Sequence, residues 1–278
     1  MFYAKNFIFD GITSEQMGLS LGELNGSGEA TTSGGSDIEI LSEKIFRKPV
    51  PYLYGVEQKP VLEFPLSVYS ETEITAGGYS RISGVLFGQQ SYKKLRIIQD
   101  DMSDVYFNCF LRSPQIIRIG NIIRGITFTV TCDAPWGWRE PKTVSYNLQS
   151  LYPTSTLSDL QFYSIPTLYN DSANSYYTYP TNLALTLRSS GGTAHIMNVS
   201  DNSRRSTFTF TYPGNQTVYT FPITLNCELQ TLSAPYVDFP LNYFNRKWLR
   251  LLKGKNILEI TGNVREISIT YPIAFKIG

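Results

Sequence analysis

Histidine is almost missing from this chain of 278 residues: His195 is the single imidazole. A Ser-His-Asp or Cys-His device would have to use it, and a metal site could draw on one such ligand at most. His195 lies in an alternating run over residues 193–199, sharing parity with Met197 and Val199. It reads as a strand histidine with no catalytic duty. Cysteine is scarce too. Cys109, Cys132 and Cys227 are odd in number, far apart in sequence and set in apolar runs, so neither a disulfide framework nor a CxxC metal site is supported and buried reduced thiols are expected. Charge is sparse at 17%, below the roughly 25% of an ordinary soluble protein, so much of the surface is expected to face other protein. The net charge of +1 argues against an electrostatic nucleic-acid binder. Long apolar runs are lacking as well: no stretch approaches the roughly 18 residues of a membrane helix. Residues 1–10 lack the zones of a signal peptide, and the chain reads as unexported.

What is present is β pattern. With 42% apolar and 14% aromatic residues the chain can bury two cores, and its length fits about two domains. In residues 126–132, Ile126, Phe128, Val130 and Cys132 point one way and three threonines the other, the mark of a half-buried strand. The same alternation holds for Phe208, Phe210 and Tyr212, for Leu183, Leu185 and Leu187, and for Ile267, Ile269 and Tyr271. One helix is predicted over residues 75–87, with Tyr79, Ile82, Val85 and Leu86 on one face. Gly77, Gly78 and Gly84 each cost it about 1 kcal/mol against Ala, so it needs tertiary packing. Residues 92–112 read as strand, polar turn (Asp100, Asp101, Asp104) and strand. The sequence DAPWGWREP at 133–141 breaks the pattern, and a boundary there gives domains 1–140 and 142–278. The first part carries 13 basic against 16 acidic residues, the second 11 against 7.

Two segments of the first part resist packing into a monomer. Residues 25–36 (NGSGEATTSGGS) have Ala30 as their one aliphatic side chain, and ordering them would cost on the order of 12 kcal/mol at about 1 per residue. Mobility is expected there unless a partner orders the loop. Residues 46–60 (FRKPVPYLYGVEQKP) differ, because three prolines lower the entropy loss while Phe46, Val50, Tyr52, Leu53, Tyr54 and Val56 offer apolar surface. An extended arm packed on a neighbour fits that composition; the alternative is a β-hairpin folded back on its own domain.

Chemistry-bearing motifs are few. There is no GxxxxGK[ST], GxGxxG or GxSxG. Paired carboxylates for glycoside hydrolysis remain available in principle. The cluster Asp100, Asp101 and Asp104 has turn spacing and lacks the later Gly and Glu of an EF-hand loop. Asn170, Asn198 and Asn215 begin N-x-[ST] sequons, which matter only in an exported chain. Arg204, Arg205, Arg246, Lys247, Arg250, Lys253 and Lys255, with Tyr243, Phe244 and Trp248 among the later ones, read either as a stacking platform or as a core segment. In the second reading Trp248, Leu249, Leu251 and Leu252 are buried and the basic groups are solvated. No cofactor or catalytic residue is assigned.

Read in order, the chain resembles the distal tail proteins of long-tailed, non-contractile bacteriophages. The likeness rests on FIFDGITSEQMGLSL (7–21), on YFNCFLRSPQIIRIGNIIRGITFTVTCDAPWGW (106–138) with its Cys/Asp-x-Pro-Trp ending, and on WLRLLKGKNILEITGNVREISITY (248–271) with its L-x-x-G-x-N strand pair. It implies a mainly β, non-enzymatic virion protein of the tail tip or baseplate, assembled in the host cytoplasm. The first domain would be a β-sandwich with one helix and a projecting arm, forming a homo-hexameric ring; the second would be a peripheral galectin-like β-sandwich. The ring would join the major tail tube protein to the tail-tip hub protein, accept receptor-binding or peripheral baseplate proteins, and let DNA through its channel without specific binding. Residues 46–60 become the arm that embraces a neighbour, and the acidic first domain suits a lumen DNA must not stick to. The alternative class is a carbohydrate-binding two-sandwich protein or glycan hydrolase, and a galectin-like fold alone confers no sugar binding.

Overall fold

A computed structural model describes residues 6–22, 38–58, 61–148, 163–164, 167–173, 177–188, 192–201, 207–213 and 221–276. The loop at 25–36, Lys59, Pro60, Arg204, Arg205 and Asn215 therefore lie outside the described residues. The protein is mainly β, and the chain divides into two compact units. Residues 1–139 with 275–278 form the first, and residues 140–274 the second.

The first unit contains β1 (Asn6–Phe9), β2 (Ile12–Thr13), β3 (Ser20–Leu21), β4 (Ile38–Glu43), β5 (Tyr52–Gln58), β6 (Glu63–Tyr69), α1 (Ala76–Phe87), β7 (Lys93–Ile98), β8 (Val105–Ile119), β9 (Ile122–Cys132) and the start of β10 (Gly137–Asn147). Antiparallel pairing runs from β1 to β7, β8, β9, β6 and β3. Alternation decides which faces are buried. Phe7 and Phe9, Phe64, Leu66 and Val68, and Ile126, Phe128, Val130 and Cys132 enter one core, while Thr127, Thr129 and Thr131 stay at its margin. Cys109 and Cys132 are register partners, both buried and free, and loss of solvent pushes the Cys109 thiol up to about 12. Gly137 of the DAPWGW break is required by close approach, since a Cβ there would meet Val105 Cγ1 at 2.7 Å.

The helix starts where Thr75 Oγ1 accepts a hydrogen bond from the Gly78 amide at 3.2 Å. It buries Ile82 and Leu86, half-buries Tyr79 and Val85, and sets Phe87 edge-on to Phe128 at 5.7 Å. Those contacts supply the packing that its glycines demand. Between β7 and β8 the acidic residues form a short 3-10 turn, Asp100–Met102, held by buried Met102.

The second unit is a β-sandwich. One sheet takes β17 (Thr231–Ser233), β16 (Phe221–Asn226), β13 (Asn182–Leu187), β20 (Val264–Phe275) and the later part of β10 in that order. The other takes β11 (Tyr163–Ser164), β19 (Leu258–Gly262), β14 (Thr193–Asn198) and β15 (Thr207–Thr211). A two-stranded ladder pairs β12 (Leu168–Asn170) with β18 (Gly254–Asn256). Leu183, Leu185, Ile223, Ile267 and Ile269 from the first sheet meet Ile196, Phe208, Phe210 and Ile260 from the second.

The L-x-x-G-x-N segment has a physical role in that unit. Leu251 is buried, Gly254 sits at φ +85°, and the buried Asn256 side chain accepts the Leu252 amide (2.8 Å) while donating to the Leu252 and Gly254 carbonyls. Asn198 Nδ2 in turn donates to Asn256 Oδ1 (2.9 Å) and to the Arg250 carbonyl. Beside this network the expectation of solvated basic groups fails for Arg250. Its side chain is 4% exposed and makes a bidentate pair with Asp201, itself 1% exposed, with the Tyr177 ring 3.5 Å from its guanidinium carbon. Desolvated in this way, the guanidinium needs its carboxylate. Trp248, half-buried against Phe244 at 4.8 Å, belongs to the core margin.

Candidate assembly surface

The segment read as an extended arm is the second half of a β-hairpin. Strand β4 (IEILSE) pairs antiparallel with β5 (YLYGVEQ), from Ile38 opposite Gln58 to Glu43 opposite Tyr52. A register shift between Leu41 and Ser42 leaves Tyr54 as the extra residue of a bulge. Among the described residues these two strands pair only with each other. Their outer edges are thus open to further pairing.

Among the described side chains, neither face of this hairpin is covered by the unit it belongs to. Phe46 is 86% exposed and Val50 71%, and Ile40, Tyr52, Leu53 and Tyr54 are each more than half exposed. The side chain of Val56 lies outside those described, although its backbone is opposite Ile40. What order the hairpin has is local. Tyr52 and Tyr54 pack edge to face at 5.3 Å, and the Tyr54 hydroxyl donates to Glu43 across the strands, a bond that raises its pKa. The Arg47 guanidinium lies 5.3 Å from the centre of the Phe46 ring, and the Lys48 amide donates to the Ile45 carbonyl (3.0 Å) to close the turn. An isolated two-stranded hairpin is marginal in water, and exposed apolar surface of this extent marks an interaction site.

Ile40, Leu41 and Ile45 extend the same surface and were not singled out from sequence. The signal was there in the alternation of IEIL, but it follows directly on the glycine-rich stretch and has no flanking turn of its own. A second exposed set was also missed: Leu229, Tyr236, Phe239 (79% exposed) and Leu241 in the second unit, close in sequence to exposed Tyr243, which was named with the basic residues. Tyr236 and Phe239 have φ of 70° and 50°, a strained backbone for aromatic residues.

The chemistry-bearing residues are scattered. His195 Nδ1 lies 2.8 Å from Thr209 Oγ1 on the half-buried face of β14. Burial pushes Cys227 up to about 12 as well, a thiol poorly suited to nucleophilic work. Asn170 and Asn198 are buried and hydrogen-bonded within the fold. Among the described residues no three His, Cys, Asp or Glu side chains stand together as a metal site, and no helix is long and apolar enough to cross a membrane.

Comparison with known proteins bears on the whole chain. Residues 2–134 match a family model described as phage tail protein N-terminal domain, and residues 136–271 match one described as phage tail C-terminal domain. No curated protein matches the sequence significantly. Among solved structures, the SPP1 Dit (gp 19.1) protein, presented as a paradigm of the hub adsorption apparatus in phages infecting Gram-positive bacteria, superposes with a TM-score of 0.69 at 11% identity. That likeness covers 96% of this chain and 98% of the other, and shows that the two share a fold. A chain of the phage P2 baseplate in its activated conformation with Ca gives a TM-score of 0.44 at 9% identity over 97% of this chain and 98% of that one.

Proposed function

Because the chain belongs to a phage tail protein family, its two halves matching that family's N- and C-terminal domains, we propose that it is the distal tail protein of a long, non-contractile tail. In this reading residues 1–140 assemble into a hexameric ring that joins the last ring of the tail tube to the tail-tip hub. Residues 142–278 form a peripheral, galectin-like sandwich that leaves room for receptor-binding or baseplate proteins to attach. DNA passes through the central channel, and the acidic balance of the first part keeps it from binding there. The protein acts as a structural adaptor with no reaction of its own, made in the host cytoplasm and carried in the virion.

The observation that carries this reading is the hairpin β4–β5. A chain with 17% charged residues places six large apolar side chains in solvent on one two-stranded element, and covering them with a neighbouring copy would contribute roughly 1.5 to 3 kcal/mol each. In a closed ring the contact repeats at every interface. Phe46, Val50, Tyr52, Leu53, Tyr54 and Val56 are the proposed oligomer contacts, joined by Ile40.

Native mass measurement of the purified chain at micromolar concentration tests the reading. Six times the 31.4 kDa of one chain, with a ring in electron micrographs, is the expected outcome. A monomer at tens of micromolar overturns it, and one that binds or cleaves host polysaccharide establishes the carbohydrate alternative in its place.

A further inference from the structure

The hairpin tip has a charge of one sign. Residues 44–51 carry Lys44, Arg47 and Lys48 with no acid, beside exposed Phe46 and Val50. Whatever receives this tip must offer apolar surface bordered by carboxylates. Outside the hairpin, the described part of the first unit exposes four large apolar side chains: Tyr92, Ile98, Ile116 and Ile119. Tyr92 packs on Phe110 at 4.7 Å and is followed by Lys93 and Lys94. Ile116 and Ile119 flank Arg118, and Arg124 follows two residues after Ile122 opens the partner strand. Cations stand at both places, and the carboxylate near the first, Asp10, is already engaged by Lys93 at 2.8 Å.

Ile98 differs. It ends β7 and leads directly into the turn Asp100–Met102, where Asp100 and Asp101 are exposed. The turn is a firm platform, because Met102 is buried beneath it and Gln99 Nε2 donates to Asp101 Oδ1 at 2.7 Å. Asp104 is engaged by Arg139 at 3.0 Å, so Asp100 and Asp101 are the carboxylates of this turn left for an incoming cation.

We infer that the tip of each hairpin docks on residues 98–101 of the next copy, with Lys44, Arg47 and Lys48 facing Asp100 and Asp101 and Phe46 covering Ile98. This rests on the ring reading above and names the acceptor that reading leaves open. Donor and acceptor are different surfaces of one chain, so the contact is heterologous, the kind that closes into a ring. The surface of the second unit, where Leu229 and Phe239 lie beside Glu228 and Asp238, is also apolar and acidic but has exposed Arg246 and Lys247 in the same stretch of chain. It serves as the competing acceptor.

Charge reversal in the full-length chain tests the inference, read as the concentration at which the hexamer is half dissociated. Lys44→Glu, Arg47→Glu and Lys48→Glu together raise it by roughly tenfold or more, and so do Asp100→Lys and Asp101→Lys together. All five changes combined restore assembly, with an unchanged far-UV circular dichroism spectrum in every variant. A wild-type ring indifferent to reversal at Asp100 and Asp101 overturns the inference alone. Rescue of the tip variant by Glu228→Lys and Asp238→Lys overturns it in favour of the second unit. A wild-type chain that never forms rings overturns the ring reading and this inference with it.

Discussion

Two hairpins of similar size show what alternation does. In β14–β15, Phe208 and Phe210 alternate with threonines and share their face with Ala194 and Ile196, so most of the apolar groups gather on one face, which is buried within its own unit. In β4–β5, Tyr52, Leu53 and Tyr54 are consecutive, so apolar groups emerge on both faces and no single core can cover them. A strand built to pack inside its own domain separates its polar and apolar sides. The arm does not, and only a partner that wraps it can bury both.

Stability separates the two hairpins most visibly. Phe208→Ala removes a fully buried ring that packs on Phe244 at 5.2 Å, and a loss of about 3 to 5 kcal/mol in urea unfolding is expected. Phe46→Ala, in the arm, should leave the melting temperature of the dissociated chain where it was while weakening assembly. Asp201→Ala is expected to cost a similar 3 to 5 kcal/mol, because Arg250 stays buried without its carboxylate. Arg250→Met with Asp201→Leu together should recover much of that loss, measured in the same unfolding experiment.

Alkali sharpens the comparison at smaller scale. Cys109, Cys227 and Tyr271 are each pushed up to about 12 by burial, and Cys132 is raised too. The folded state therefore holds protons that the unfolded chain releases above the thiols' ordinary value of 9.0. Stability is full below that value and falls as pH rises from about 9 toward 12, which thermal melts across that range would record. Cys→Ser changes at the three thiols would narrow the loss. The smallest effect belongs to Tyr54→Phe: the hydroxyl bond to Glu43 is fully exposed, so the melting temperature should not change.

Much of the fold is written in local pattern. The threonine-spaced strands announce their buried faces, and α1 is legible despite three glycines because its apolar residues keep helical spacing. Other features depend on partners far away in sequence. The burial of Arg250 follows from Asp201, 49 residues earlier, and nothing near Arg250 foretells it. Strand β8 runs on to Ile119 through Ser113 and Pro114 because a register shift between Arg112 and Gln115 takes the proline out of the ladder. Of the exposed hairpin, the composition of β5 could be read, since prolines beside Tyr52, Leu53 and Tyr54 are unusual for a core strand. The contribution of β4 could not, because IEILSE pairs with β5 across a turn whose closure depends on Arg47 at φ 67°.

Sedimentation velocity on a chain lacking residues 49–55, compared at micromolar concentration with wild type and with a chain whose loop at 25–36 is cut to a short linker, tests the central claim most directly. Wild type and the loop variant should sediment as hexamers, and the arm deletion as smaller species. Intact rings without residues 49–55, or monomers from the loop variant, would contradict that claim.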